Sequence, residues 1–201
     1  MNSFDPQRTF IHEIGHFIAR ELNKDVFKIG LGVDEIYITG NENFFTSKNG
    51  AGGTKPKKPK DFIENNIVYN PDELVAVLLY GCLFQSIYYK TKFNDCFTIQ
   101  NYASGKKDAE HFSSLEKYIS GQKRKRIVEY LDDEYINVLN SCPEHFELIN
   151  KLHYEDFILC IRDGDYIIDI EKLRNELKPF SEEHASYYKQ LIDRIKIINS
   201  S

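Results

Sequence analysis

Tryptophan is missing from this chain of 201 residues, and methionine occurs once. With 13 tyrosines and 14 phenylalanines present, that lack excludes nothing functional. Other shortages exclude more. The longest stretch without a charge runs from Leu74 to Tyr89. That is shorter than the roughly 20 apolar residues needed to cross a bilayer, so no transmembrane helix is expected. Positive charge is not in excess: 26 Lys and Arg face 31 Asp and Glu, and the net charge of −5 argues against a general nucleic-acid binder. The four cysteines, Cys82, Cys96, Cys142 and Cys160, include no C-x-x-C pair, and no signal segment is expected ahead of the first helix. Free thiols in a reducing cytoplasm are the simplest reading. No internal repeat is present.

The composition is that of a soluble globular chain, 41% hydrophobic and 28% charged. Its length fits one domain with a substantial core. The most informative stretch is His12-Glu13-Ile14-Gly15-His16, an H-E-x-x-H motif. Phe10, Ile11, Ile14, Phe17, Ile18 and Leu22 recur around it at helical spacing. Asp5 reads as an N-cap and Pro6 as the first helical residue, giving a helix over about 6–23. Residues four apart share a helix face, so His12 and His16 are placed to grip one metal ion. Glu13 lies beside them, placed to handle a metal-bound water. Three fixed positions also occur by chance, but the helical context is the one the motif requires. Gly15 costs such a helix about 1 kcal/mol relative to alanine, which suggests that another backbone packs closely there.

Two short strands, Val26 to Val33 and Glu35 to Thr39, are expected next as an antiparallel hairpin. Such a strand serves either to hold an extended substrate along its edge or as a plain structural hairpin. The Gly, Lys and Pro-rich stretch from Asn49 to Lys60 reads as a solvated loop, and the run Lys123 to Arg126 as the exposed start of a helix. Asn70-Pro71-Asp72-Glu73 opens a helix to about Tyr89 that is apolar almost all round, hence central. Asn-Pro-Asp also resembles a motif of intramembrane site-2 metalloproteases, but no membrane spans accompany it. Residues 91–104 read as irregular. A helix follows from about Lys106 to Ser120, stopped by Gly121. Further helices are expected over about 123–140 and 143–160, with an extended piece at 165–168. Asp169 caps a small helix ended by Pro179, and Ser181 caps a last one. His145, His153 and His184 belong to no recognisable motif in this half.

A catalytic zinc usually has three protein ligands and one open position. The metzincin pattern fails, because Ala19 and Leu22 occupy its last two fixed positions. On the helix that opens at Lys106, Asp108, Phe112, Leu115 and Ile119 form one row, so Asp108 points inward. An inward carboxylate needs a partner. Zinc is one; the amides and dipole of the helix N-terminus are another. His111, the commoner kind of ligand, lies to one side of that row.

At these residues the chain resembles the peptidase domain of the FtsH-type ATP-dependent zinc proteases. His12 to His16 matches the family's H-E-A-G-H. Leu79 to Ser86 looks like its Gly-Gly-Arg-Ala-Ala-Glu-Glu segment, with Gln85 and Ser86 in place of the acidic end. Ser104-Gly105-Lys106-Lys107-Asp108-Ala109 is similar to the family's Gly-Ala-x-x-Asp-Leu, which carries the third-ligand role onto Asp108. Asp169 to Leu177 looks like the small helix near the end of that domain. There is no P-loop, ATPase domain or membrane anchor, so motor-driven proteolysis does not carry over. Arg8 to His16 also resembles the helix of IrrE-like regulatory metallopeptidases, whose third ligand is a glutamate soon after the motif.

The expectation is thus an α+β, mainly helical zinc-peptidase domain with a short hairpin or small sheet after the metal helix. Residues 1–122 would form the core and 123–201 a helical part packed on it. His12, His16 and Asp108 would bind Zn²⁺, with Glu13 as general base. Substrates would be peptides or unfolded segments, without nucleic acid or a membrane span, in the cytoplasm. A non-catalytic zinc-binding interaction module is the competing class.

Overall fold

The computed structural model describes residues 5–40, 52–57, 71–100 and 104–201. Eight α-helices and four strands occur among them: α1 (Pro6–Val26), β1 (Val33–Thr39), β2 (Gly52–Pro56), α2 (Pro71–Tyr89), α3 (Phe93–Cys96), α4 (Lys106–Ser114), α5 (Gly121–Tyr130), α6 (Ile136–Asn140), α7 (Glu147–Asn150), β3 (Ile158–Arg162), β4 (Asp165–Ile168) and α8 (Ile170–Ser200). The architecture is α+β and mainly helical, with one small antiparallel sheet in the order β2-β1-β4-β3.

Helix α1 starts where its sequence says it should. The Asp5 carboxylate accepts from the Gln7 N–H and Pro6 follows as the first helical residue. Its middle lies against α2, the central apolar helix, whose residues from Val75 to Ser86 are all buried. The cause of the close crossing is Gly15. A Cβ there would lie 2.2 Å from the Tyr80 carbonyl oxygen, so any side chain would push the two helices apart. The core then spreads to α8, which lays Leu173, Leu177, Phe180, Tyr188, Leu191, Ile192 and Ile195 along one buried face.

Polar anchors fix how these elements meet. Glu21, buried on α1, accepts from the Val33 N–H at 2.7 Å and pairs with Arg174 of α8 at 3.1 Å. Arg174 also donates to the Val33 carbonyl. One partly buried ion pair thus ties α1, the entry to β1 and α8 together. Tyr188 donates to Asn23 Oδ1 at 2.6 Å, a second tie between α8 and α1.

Several expectations are corrected. Residues 26–32 are not a strand, and β1 begins only at Val33. Val26 completes α1, and Lys28, Gly30 and Gly32 have φ of 58°, 71° and 80°, incompatible with an extended ladder. The partner of β1 is instead β2, inside the stretch read as loop, with Tyr37 opposite Gly53 and Ile38 opposite Gly52. A Cβ on Gly53 would meet the Tyr37 hydroxyl at 2.7 Å and one on Gly52 the Thr9 side chain of α1 at 2.6 Å, so the glycines that suggested a loop make room for β1 and α1. The segment read as irregular contains the short helix α3. Helix α4 tightens after Ser114 into a 3₁₀ turn, and Gly121 starts α5 behind the Ser120 N-cap rather than ending α4. Between α5 and α6 the helix widens into one π turn, Leu131–Tyr135, without breaking.

The expected helix over 143–160 resolves into short turns, α7 and then strand β3. Pro179 does not end a helix: α8 runs through it for 31 residues. Because β4 pairs with β1, residues beyond 123 complete the same sheet as those before it, and that part is not purely helical. The capping role expected of Asn70 lies outside the described residues. No helix among them is long and apolar enough to cross a membrane.

Candidate metal centre

His12 and His16 sit one turn apart in the buried middle of α1, 6% and 8% exposed. Their rings meet edge to face. Their Nε2 atoms are 3.0 Å apart. Asp108, in the first turn of α4, sends Oδ2 between them, 2.9 Å from His12 Nε2 and 3.2 Å from His16 Nε2. Three ligand atoms from two helices far apart in sequence therefore form a triangle with sides of 2.9–3.2 Å. Zinc bonds of about 2.0–2.2 Å at tetrahedral angles set ligand atoms roughly 3.3 Å apart, so the triangle fits an ion of that size. His111, by contrast, is exposed on the outer side of α4.

Helix α2 forms the floor. A Cβ on Gly81 would lie 2.6 Å from His16 Nε2 and 2.7 Å from His12 Nε2, so this position must lack a side chain for the rings to converge. One turn earlier, the Val77 carbonyl accepts the Nδ1–H of His16 at 2.8 Å. That bond holds the ring in the tautomer whose Nε2 lone pair faces Asp108. His12 Nδ1 is buried and has no hydrogen-bond partner.

Electrostatics agree with a cation at this point. Burial alone would lower the pKa of His16, but the Asp108 carboxylate beside it more than reverses that and raises it to about 9. Asp108 pays for burial too, yet the two imidazoles hold its carboxyl well below the usual carboxylate range. The pocket is thus built to keep Asp108 charged and to hold positive charge between three donors. A proton on the histidines or a metal ion both meet that need; the donor set of two imidazoles and a carboxylate suits zinc.

Glu13 stays out of the triangle. Its Oε2 accepts from the Thr54 hydroxyl of β2 at 2.7 Å. Strand β2 therefore does two jobs, completing the sheet edge and fixing the carboxylate beside the histidines. Arg8 lies one turn before His12; it donates weakly to Cys96 Sγ at 3.9 Å and its buried Nε has no partner. Gln85 donates to the Arg8 carbonyl at 2.9 Å and accepts from the Ser104 hydroxyl at 2.5 Å. It stitches α2 to α1 and to the segment that leads into α4, where an acidic residue of the resembling family would stand.

Thr54, Gly81 and Cys82 are missed by motif reading. Thr54 sits in a stretch that looks like loop, and Gly81 and Cys82 sit in a helix that looks like pure core. The one available signal is a glycine inside an apolar helix, which marks close approach. Cys82 is fully buried, and its thiol, His12 and Asp108 offer ligand atoms all within 4.8 Å of one another. Burial pushes its thiol pKa well up.

His184 and His145 belong elsewhere. His184 accepts from or donates to Tyr80 at 3.0 Å and His145 at 2.8 Å, and Tyr80 bonds Tyr135 at 2.8 Å, a buried polar chain inside the core. His153 is exposed. A hollow of about 570 Å³ lined by Lys92, Asp132, Pro143 and Phe146 holds none of the metal-site residues. Comparison with protein-family models, with curated proteins and with solved structures found no match for this chain.

Proposed function

We propose that the chain is a zinc-dependent endopeptidase acting on flexible or unfolded polypeptide. The observation that carries this reading is the triangle of His12 Nε2, His16 Nε2 and Asp108 Oδ2 with Glu13 adjacent in sequence but outside it. His12, His16 and Asp108 would hold the ion, which when bound supplies a Lewis acid and a water of lowered pKa. Asp108 supplies the negative charge that balances the cation. The Val77 carbonyl keeps the His16 ring oriented.

Glu13 acts as the base. The Thr54 hydroxyl holds the carboxylate through Oε2, and Glu13 would act on the water that a bound ion carries. It takes a proton from that water and delivers it to the leaving amine. Among the described residues strand β2 is an edge of the sheet, and an extended peptide can pair along it. The likeness of the motif helices to FtsH-type peptidase domains supports a peptide bond as the target.

The test uses zinc-loaded protein and a peptide library. Cleavage by the parent, with Glu13→Gln keeping zinc but losing cleavage, supports the reading, because an amide cannot act as the base. Cleavage at parental rate by Glu13→Gln would remove Glu13 from the chemistry. Bound zinc with no cleavage by the parent would leave a metal-binding module instead.

A further inference from the structure

We propose that Cys82 provides a fourth, thiolate ligand to the metal held by His12, His16 and Asp108; this rests on the metal-site reading above. Cys82 follows Gly81, the residue whose missing side chain lets the two imidazoles converge. Its side chain is fully buried. Its sulfur and the ligand atoms of His12 and Asp108 all lie within 4.8 Å of one another. The sulfur is a soft donor of the kind that binds zinc as a thiolate.

The backbone is shaped around this sulfur. Gly105, the N-cap of α4, packs so closely that a Cβ there would lie 2.0 Å from Cys82 Sγ. Gly105 donates its N–H to the Cys96 carbonyl at 3.0 Å, which holds the start of α4 down on the thiol. Asp108 comes three residues later. The first turn of α4 is therefore seated on Cys82 while it delivers the carboxylate, and α2 and α4 each present a ligand to the same point. A zinc–sulfur bond of about 2.3 Å asks the sulfur to draw closer to His12 and Asp108 than the 4.8 Å within which the three now gather.

Binding in this way replaces the S–H bond with a metal–sulfur bond, and the proton leaves to solvent. The thiolate then competes with water for the fourth position.

Cobalt(II), added alone to the whole chain in place of zinc, reads both statements separately. Visible d–d bands report that the ion is bound, and an intense near-ultraviolet band reports sulfur-to-cobalt charge transfer. The parent should show both. Cys82→Ser, close in size, should keep the visible bands and lose the near-ultraviolet one, while Cys96→Ser should keep both. Asp108→Asn should lose both. Visible bands in the parent without charge transfer, or a charge-transfer band that survives in Cys82→Ser, would overturn the role of Cys82 and leave the metal site standing. Absence of all cobalt bands in the parent would overturn the metal site, and this inference with it.

Discussion

At the scale of single residues, the decisive choice is between Asp108 and His111, three positions apart on one helix. The carboxylate meets both histidines, and His111 faces solvent. Asp108→Asn should therefore weaken zinc binding by orders of magnitude, since it removes a negative charge and a good ligand. His111→Ala should bind nearly as the parent does. Titration of both variants against a zinc indicator decides it, and the reverse order would overturn the site. Gly81 gives a subtler test. Gly81→Ala leaves every ligand in place but puts a methyl group within 2.7 Å of both imidazole nitrogens. Zinc affinity should fall sharply while circular dichroism stays helical; unchanged affinity would mean that the rings have room to move.

Elements are fixed by contacts that single residues permit or forbid. Alanine is the better helix former, yet Gly15→Ala should destabilise the protein by about 1–3 kcal/mol, the usual cost of overpacking, because the Cβ meets the Tyr80 carbonyl. Urea denaturation is the check, and a gain in stability would refute the tight crossing of α1 and α2. Pro179 shows the opposite balance. It lacks the N–H that would bond back one turn and strains the turn before it, a penalty of about 3 kcal/mol in a helix interior. Helix α8 continues because Leu173, Leu177, Phe180, His184 and Tyr188 must lie on one face to fill the core. A helix boundary read from proline was therefore wrong here. Burial across the whole of α8 outweighed a local signal.

At the scale of the whole molecule, metal and acid should both act on stability. Zinc present at 100 times its dissociation constant should stabilise the fold by about 2.7 kcal/mol, and a chelator should remove that gain. A melting temperature indifferent to both would argue against a folded-state metal site. Acid acts through His184. Burial, with His145 beside it, lowers its pKa from 6.5 to about 3. The unfolded chain then takes up a proton near pH 6.5 that the folded chain refuses until about pH 3. Stability from this group is full above pH 6.5 and is lost as pH falls through that window, by about 1.4 kcal/mol per unit at most. The groups around it are His145, Tyr80 and, behind His145, Glu183. His184→Gln should flatten the fall in stability between pH 6 and pH 4 relative to the parent; an unchanged slope would assign acid sensitivity to other groups.

What the sequence determined by itself is local. Periodicity and the Asp5-Pro6 start specify α1, and an unbroken apolar run specifies α2, because these signals act within a few residues. The spacing of His12 and His16 puts their rings on one face, since four residues make about one helical turn. The inward row from Asp108 to Phe112 locates the carboxylate. Tertiary structure decided everything that depends on a neighbour distant in the chain. Strand β2 exists because β1 offers it a ladder, so its two glycines and one proline give no warning. The strand pairing of β1 with β4 brings residues past 160 into the same sheet. Thr54 reaches Glu13, and Cys82 comes near His12 and Asp108, only once α1, α2, α4 and the sheet have packed. Helix faces follow from the repeat of one chain segment, whereas a site's full set of donors follows from how separate segments exclude water together.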